Sequence, residues 1–184
     1  MDVWLSAGVR LVQIRAKSMS LGPFTDLAQT MTERARGSAA ALFINDRPDV
    51  ARLAGAYGVH LGQTDLSPAD ARGVLAEGQW VGVSTHNIPQ VRQAVKDDAD
   101  YLAIGPVFET SSKLNPDPVV GLEGVASAAS IARDSGRPLV AIGGITLATA
   151  PQVIAAGADS VAVISDLVAS DWRERAALWL RLLS

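Results

Sequence analysis

The sequence contains no cysteine among its 184 residues. A disulfide framework, thiolate catalysis and a zinc–thiolate centre are therefore excluded, and a cysteine-free chain suits a reducing compartment, so we expect a cytoplasmic protein. Histidine is scarce as well, with only His60 and His86. His60 lies in an apolar run and is interpreted as a packed residue, whereas His86 is interpreted as a supporting one. No combination of serine, histidine and aspartate indicates a nucleophilic triad.

Charge of either sign is sparse, at 19% of residues, and the formal net charge is −3. A nucleic-acid surface therefore has no overall electrostatic support, although local cations can still bind a small anion. The longest uncharged stretch, 138–158, includes Gly143, Gly144 and Pro151 and changes from strand to helix pattern partway, so we do not interpret it as a membrane span. The first ten residues lack the basic start and apolar core of a signal peptide. We expect a soluble protein.

Short apolar runs rich in β-branched residues alternate with helix-patterned segments, which predicts an α/β fold with parallel strands covered on both faces. The predicted strands are 10–15, 41–45, 58–61, 80–84, 101–105, 139–142 and 160–164. The predicted helices are 24–36, 49–54, 68–76, 89–97, 122–134, 148–156 and 172–183, and residues 2–7 resemble the end of one more. Polar clusters after every strand favour a (β/α)8 TIM-type barrel over an open doubly wound sheet. No change of composition marks a linker, so residues 1–184 are predicted to form a single domain.

Two cations and an amide follow the first strand in the sequence Gln-Ile-Arg-Ala-Lys, residues 13–17. Alternation along a strand sends Gln13, Arg15 and Lys17 to one side, where they could bind a diphosphate. A solvated basic strand end is an equally good interpretation of this segment alone.

Two carboxylates, Asp46 and Asp65, follow the next two strands. Magnesium is often held by one or two carboxylates together with substrate phosphates and water, so the pair could hold such an ion. Each aspartate, taken alone, is more typical of a loop or of the start of a helix. Their expected proximity to Arg15 and Lys17 is what favours the metal site.

Three further strand ends indicate an anion site. The loop after the fifth strand carries Thr110, Ser111, Ser112 and Lys113 and is long enough to be a binding loop. After the sixth strand, Gly143 and Gly144 would let the backbone approach an anion closely, and Ser165 follows the seventh strand. An ordinary loop and a tight strand–helix turn would account for the same residues.

Taken together, these motifs resemble thiamine phosphate synthase. They run in order through nearly the whole chain: QIRAK at 13–17, FINDRPDVA at 43–51, GVHLGQTDL at 58–66, VGVSTH at 81–86, IGPVFETSSK at 104–113, AIGGIT at 141–146 and GADSVAVIS at 157–165. The resemblance implies a transferase of thiamine biosynthesis. Such an enzyme joins 4-amino-2-methyl-5-hydroxymethylpyrimidine diphosphate to a thiazole phosphate and releases thiamine phosphate and diphosphate, by a dissociative, magnesium-assisted mechanism.

The resemblance also implies roles for individual residues. The pyrimidine diphosphate would be held by Gln13, Ile14, Arg15, Ala16, Lys17, Asn45, Ser84 and Lys113. The thiazole phosphate would be held by Thr110, Ser111, Ser112, Gly144, Ile164 and Ser165. Asp46 and Asp65 would bind Mg²⁺, and the cations Arg15, Lys17 and Lys113 would act electrostatically on the leaving diphosphate. No protein nucleophile is required.

The chain departs from the family pattern in two places. It lacks the first strand and most of the first helix of the barrel, so neighbouring strands would have exposed edges that another copy of the chain could cover as a homo-oligomer. Glu109 stands where the family usually has proline. The alternatives are a thiazole tautomerase, in which a catalytic histidine is typical where this chain has Pro106, and a truncated paralogue that only binds thiamine intermediates. In all three cases we expect small phosphorylated ligands, no nucleic acid and no membrane.

Overall fold

The computed structural model describes residues 2–110, 117–167 and 171–183. The strands in these ranges are β1 (Leu11–Ile14), β2 (Ala41–Asn45), β3 (Gly58–Leu61), β4 (Trp80–Thr85), β5 (Tyr101–Ile104), β6 (Leu139–Ile142) and β7 (Ser160–Ala162). The helices are α1 (Asp2–Ala7), α2 (Leu21–Ala35), α3 (Pro48–Ala54), α4 (Pro68–Val74), α5 (Ile88–Lys96), α6 (Gly121–Asp134), α7 (Ala150–Ala155) and α8 (Trp172–Leu183). A 3-10 helix, Ser165–Leu167, follows β7.

The predicted alternation of strands and helices is confirmed, and the differences lie at the ends of elements. The largest concerns α2, which was predicted to begin at residue 24 but begins at Leu21. Strand β7 was predicted to extend to residue 164 but ends at Ala162. The chain there bends into the 3-10 helix, in which the Leu167 N–H donates to the Ile164 carbonyl oxygen. Helix α7 begins at Ala150 and not at 148, because Thr146 and Thr149 bond to each other and close a turn before it.

The chain divides into two compact units, and the first comprises residues 1–82. Its strands β1, β2 and β3 pair in parallel, with Ile14 opposite Ile44 and Asn45 opposite His60. All residues of β3 are buried, as expected for a parallel strand covered on both faces. His60 is 7% exposed, which confirms its interpretation as a packed residue.

A single buried side chain, Gln79, joins separate backbone segments of this unit. Its Oε1 accepts from the Ala76 N–H, while its Nε2 donates to the carbonyl oxygens of Ala51 and Ala56. These three bonds use the acceptor and both donors of the amide within the protein interior. The end of α3 and the loop before β4 are thereby held together.

The second unit comprises residues 83–184. Its strands β5, β6 and β7 pair in parallel, with Ile104 opposite Ala141 and Ile142 opposite Ala162. Strand β5 is buried along its whole length. Parallel pairing brings the residues that follow each strand to one edge of the sheet, and this edge carries the polar segments of the unit.

The parallel α/β architecture is therefore confirmed. The barrel with eight βα repeats, its missing first strand and the single domain over residues 1–184 stay predictions.

Candidate active site

Lys17, Asp46 and Asp65 come together at the carboxyl ends of β1, β2 and β3. The Lys17 Nζ lies 3.1 Å from Asp46 Oδ2, and both Asp46 and Lys17 act electrostatically on Asp65. Because β1, β2 and β3 pair in parallel and in sequence order, residues that follow them emerge side by side. The structure thus brings together one cation and two carboxylates that the sequence places up to 48 positions apart.

Asp46 is held in an unusual backbone conformation. Its φ is +63°, a left-handed value that is rare for residues other than glycine, and its N–H donates to the His60 carbonyl oxygen at 2.8 Å. Such a conformation costs about 1–3 kcal/mol and persists only where surrounding structure imposes it. Helix α3 has Arg47 at its N-cap position, so Asp46 does not cap it. In this conformation the Asp46 carboxylate lies beside Lys17 and Asp65.

Asp65 is anchored by its own loop. Its Oδ2 accepts from the Gly62 N–H at 2.7 Å, and the cap of α4 is supplied by Ser67, which accepts from the Asp70 N–H. The pKa of Asp65 is raised above its ordinary value by burial first, and also by the adjacent Asp46 carboxylate; the Gly62 N–H and the Lys17 cation act in the opposite direction. A carboxylate pair with excess negative charge favours a cation between its members.

The basic segment after β1 shows the predicted alternation. Gln13, Arg15 and Lys17 are exposed, whereas Ile14 and Ala16 are half-buried. The alternating exposure of strand β1 therefore continues through residue 17. Asn45, the last residue of β2, is buried next to Asp46 in sequence. Ser84 belongs to β4 and is half-buried.

The remaining predicted site residues that the structure describes belong to the second unit. Gly144 follows β6 with a φ of +66°, and a Cβ added there would meet the Glu109 carbonyl oxygen and lie 2.8 Å from the Phe108 Cβ. The loops after β5 and β6 therefore touch backbone to backbone, and only glycine fits at this position. Thr110 is half-buried at the end of the described part of the β5 loop. Ser111, Ser112 and Lys113 lie outside the described residues.

Ile164 and Ser165 follow β7, and Ser165 opens the 3-10 helix. Both are exposed, Ile164 to 55%. The residue after them, Asp166, forms an ion pair with Arg175 of α8 and accepts a 2.5 Å hydrogen bond from the Trp179 indole N–H. The sequence motifs did not indicate this contact. The spacing of Arg175 and Trp179, one turn apart, places both on one helix face but does not identify their partner.

His86 holds the segment that precedes α6. Its Nδ1–H donates to the Gly105 carbonyl oxygen at 2.5 Å, and its Nε2 lies 3.3 Å from Asp117 Oδ2. A cavity of about 260 Å³ lies beside it. The cavity is lined by His86, Asn87, Ile88, Ile104, Pro118, Val119, Val120 and Gly124. The supporting role predicted for His86 agrees with these contacts.

The carboxylate oxygens of Asp46 and Asp65 are ligands of the kind that Mg²⁺ prefers. Asp46 and Asp65 are adjacent and partly shielded from water, and the Lys17 cation compensates part of their charge. Magnesium prefers oxygen ligands and commonly takes one or two carboxylates, with the rest of its shell from phosphates and water. Within residues 2–110, 117–167 and 171–183, no group of three or more His, Asp or Glu side chains is placed to hold a metal ion.

Paired carboxylates and glycine-containing turns at the carboxyl ends of parallel strands are typical of α/β enzymes. The family model described as "Thiamine monophosphate synthase" matches residues 1–167. The chain therefore belongs to the thiamine monophosphate synthase family.

Individual relatives agree with this assignment. The chain is 48% identical to "Thiamine-phosphate synthase" of Koribacter versatilis over 97% of its own length and 82% of that protein. It is 43% identical to "Thiamine-phosphate synthase" of Thermus thermophilus over 96% of its own length and 84% of that protein. Among solved structures, it is similar to thiamine phosphate pyrophosphorylase from Pyrococcus furiosus, with a TM-score of 0.87 and 32% identity, covering 99% of this chain and 86% of that one. None of the helices in the described ranges is long and apolar enough to cross a membrane.

Proposed function

We propose that this chain catalyses the condensation of 4-amino-2-methyl-5-hydroxymethylpyrimidine diphosphate with a thiazole phosphate, giving thiamine phosphate and diphosphate. The observation that carries the proposal is 48% identity, over 97% of the chain, to a relative named thiamine-phosphate synthase. The cluster of Lys17, Asp46 and Asp65 supports it, because a diphosphate leaving group needs cations and a hard metal ion at one place.

The pyrimidine diphosphate is assigned to the first three strand ends and to one residue each from β4 and the β5 loop. These residues are Gln13, Ile14, Arg15, Ala16, Lys17, Asn45, Ser84 and Lys113. The exposure of Gln13, Arg15 and Lys17 supports the assignment, since β1 and the residues directly after it offer three polar side chains to a ligand. Arginine can form two parallel hydrogen bonds to phosphate oxygens, whereas lysine supplies a compact charge.

The thiazole phosphate is assigned to the ends of β5, β6 and β7. The residues are Thr110, Ser111, Ser112, Gly144, Ile164 and Ser165. The left-handed turn at Gly144 supports the assignment, because it lets the backbone come close to an anion. The pairing of β6 with β7 brings Gly144 and Ser165 to the same edge of the sheet.

Asp46 and Asp65 would hold Mg²⁺. When bound, the ion would supply Lewis-acid stabilisation of negative charge on the diphosphate oxygens. The left-handed backbone of Asp46 and the Gly62 N–H on Asp65 fix both carboxylates in advance, so little reorganisation is needed on binding.

Charge stabilisation accounts for the reaction without a protein nucleophile. The bond between the pyrimidine methylene carbon and the diphosphate oxygen breaks, and both electrons leave with the diphosphate. Arg15, Lys17 and Lys113 stabilise the charge that develops on this leaving group. The electron-rich aminopyrimidine delocalises the resulting methylene cation. The thiazole nitrogen then donates its lone pair to that carbon, which forms the new carbon–nitrogen bond.

The two alternatives receive less support. A thiazole tautomerase typically has a histidine where this chain has Pro106, and the relatives named above are synthases. A paralogue that only binds thiamine intermediates would not require the strained backbone of Asp46. We further propose that the enzyme works in the cytoplasm, in keeping with its lack of cysteine, and that it forms a homo-oligomer that covers the edge of β1, the first strand in the order of the described sheet.

The test is formation of thiamine phosphate by the 184-residue chain from the two phosphorylated precursors, with Mg²⁺ and with a chelator. Asp46→Asn and Asp65→Asn are expected to lower kcat/KM by about 100-fold or more, because each removes a ligand of the ion that would stabilise the leaving diphosphate. Asp49→Asn is the matched control: Asp49 lies three residues beyond Asp46 but pairs with Arg47. Chelator-resistant product, or equal losses in all three variants, would contradict the proposed site.

A further inference from the structure

The turn that follows β7 is held by the last helix of the chain. Asp166 lies directly after Ser165, and α8 contacts both oxygens of its carboxylate. The Arg175 guanidinium pairs with Oδ1, and the Trp179 Nε1–H donates to Oδ2 at 2.5 Å. We call these three side chains the Asp166 clamp. Trp179 is 4% exposed, so the clamp is anchored in the interior of the unit.

The carboxylate in this clamp is charged at neutral pH. Burial acts to raise the pKa of Asp166, but the hydrogen bonds from Arg175 and Trp179 outweigh it and the pKa lies below its ordinary value. The Asp166 side chain is only 20% exposed, so water screens it incompletely. A negative charge is therefore fixed one residue from Ser165, and Arg175 is the cation that neutralises it.

Ser165 and Asp166 share one short 3-10 helix, in which the Leu167 N–H donates to the Ile164 carbonyl oxygen at 3.0 Å. Because this helix comprises only three residues, fixing the Asp166 side chain also fixes the backbone of Ile164 and Ser165. Misplacement of a ligand-positioning group by about 1 Å can cost as much as 100-fold in rate, so a rigid attachment of this turn has a functional consequence.

We propose that the Asp166 clamp makes α8 a positioning element for the thiazole phosphate. It fixes the turn that carries Ile164 and Ser165, and through Arg175 it cancels a carboxylate charge that would repel the phosphate. This inference rests on the assignment of Ile164 and Ser165 under the proposed function. Asp166, Arg175 and Trp179 do not contact the substrate and act through the turn.

The clamp contributes in two ways, by fixing the turn and by cancelling the Asp166 charge. Together these contributions predict an order of Kd values among the variants that a simple loss of stability would not produce. Arg175→Gln leaves the Asp166 charge uncompensated, and we expect the Kd for the thiazole phosphate to rise about tenfold. Asp166→Asn removes the charge together with the clamp, and we expect a rise of about threefold. In the double variant the Kd should return to the value for Asp166→Asn, because no repelling charge remains.

The measurement is calorimetric titration of the full chain, with Mg²⁺ present, by the thiazole phosphate and by the corresponding thiazole alcohol. The alcohol lacks the anion, so Arg175→Gln should weaken its binding no more than Asp166→Asn does. Arg173→Gln is the matched control, since Arg173 lies on the same helix and stacks over Trp172. If Arg175→Gln does not fold, two other variants decide. Arg175→Lys should keep Kd within about twofold of the wild type, whereas Trp179→Phe, which loses the indole hydrogen bond and part of the ring, should raise Kd about threefold, as Asp166→Asn does.

Equal Kd values for Arg175→Gln and Arg173→Gln, or an Arg175→Gln effect that persists unchanged in the double variant, would overturn the inference. A failure of the clamp inference can be distinguished from a failure of the proposed function. A wild-type chain that binds the thiazole phosphate but forms no product would contradict the function, and the Kd series would still decide the role of the clamp. A wild-type chain that forms product while the clamp variants bind normally would overturn the clamp alone.

Discussion

Replacing Gly144 by alanine tests whether the backbone contact between the β5 and β6 loops is as close as the structure shows. Gly144 has a φ of +66°, and a Cβ there would meet the Glu109 carbonyl oxygen and the Phe108 Cβ. Gly136, after α6, has nearly the same φ, +68°, but nothing lies within 4 Å of its Cβ position. The pair therefore separates backbone strain from steric overlap.

The expected magnitudes follow from these two terms. The left-handed conformation costs an alanine about 1 kcal/mol at either position. Overlap with backbone atoms that cannot rotate away adds about 1–3 kcal/mol at Gly144 only. With about 2 kcal/mol for the overlap and a shift of about 2–4 °C per kcal/mol in a chain of this size, Gly144→Ala should melt about 4–8 °C below Gly136→Ala.

The assay is urea and thermal unfolding of the two variants beside the wild type, with titration of the thiazole phosphate on each. Gly144→Ala should also weaken binding of the thiazole phosphate, because the turn at Gly144 belongs to the proposed phosphate site. Gly136→Ala should bind this ligand as the wild type does. Equal destabilisation by the two substitutions would show that the β5 and β6 loops do not touch as described, and the reasoning would be refuted.

Three further predictions concern individual side chains. Ser67→Ala removes the acceptor for the Asp70 N–H at the start of α4 and should lower the free energy of unfolding by about 1 kcal/mol in urea; an unchanged urea midpoint would contradict the cap. Because the folded pKa of Asp166 is lowered, its stabilisation is present above the ordinary value of 3.8 and is lost as pH falls through the folded pKa. Asp166→Asn should thus be about 1–2 kcal/mol less stable than wild type at pH about 6, with the gap closing in acid, and a pH-independent gap would count against the charged clamp. Lys17→Met removes a cation that lowers the pKa of Asp65, so a carboxyl NMR titration of the metal-free protein should find that pKa higher still; no upward movement would place Lys17 farther away.

Much of the fold was predictable because its strands are short apolar runs. The predicted strands 41–45, 58–61 and 139–142 match β2, β3 and β6 at both ends, and an aspartate or a glycine directly follows each run. Strand β7 was predicted two residues too long. Its run of apolar residues continues through Ile164, but the bond from the Leu167 N–H to Ile164 ends the strand earlier, and no local pattern reports that bond.

The candidate site also has features that the sequence predicts and features that it does not. The proximity of Lys17, Asp46 and Asp65 was predictable, because each follows one of three consecutive parallel strands. The left-handed backbone of Asp46 was not, since it depends on a hydrogen bond to the His60 carbonyl oxygen of the neighbouring strand. The Asp166 clamp was not predictable for a related reason. A buried tryptophan on a helix satisfies the packing pattern fully, and the partner of its N–H is decided only when the helix docks.

The Gln79 side chain has a consequence for how sequence variants of this protein are interpreted. Its Nε2 donates to two carbonyl oxygens while its Oε1 accepts from one N–H, all away from water. Glutamate has the same shape and size, yet it would present an oxygen to two oxygens and bring a charge into the interior. At position 79, whether a substitution is tolerated depends on the number of hydrogen-bond donors that the new side chain offers, and not on its similarity to glutamine in shape. A substitution scored as mild by chemical resemblance would be among the most damaging in the first half of the chain.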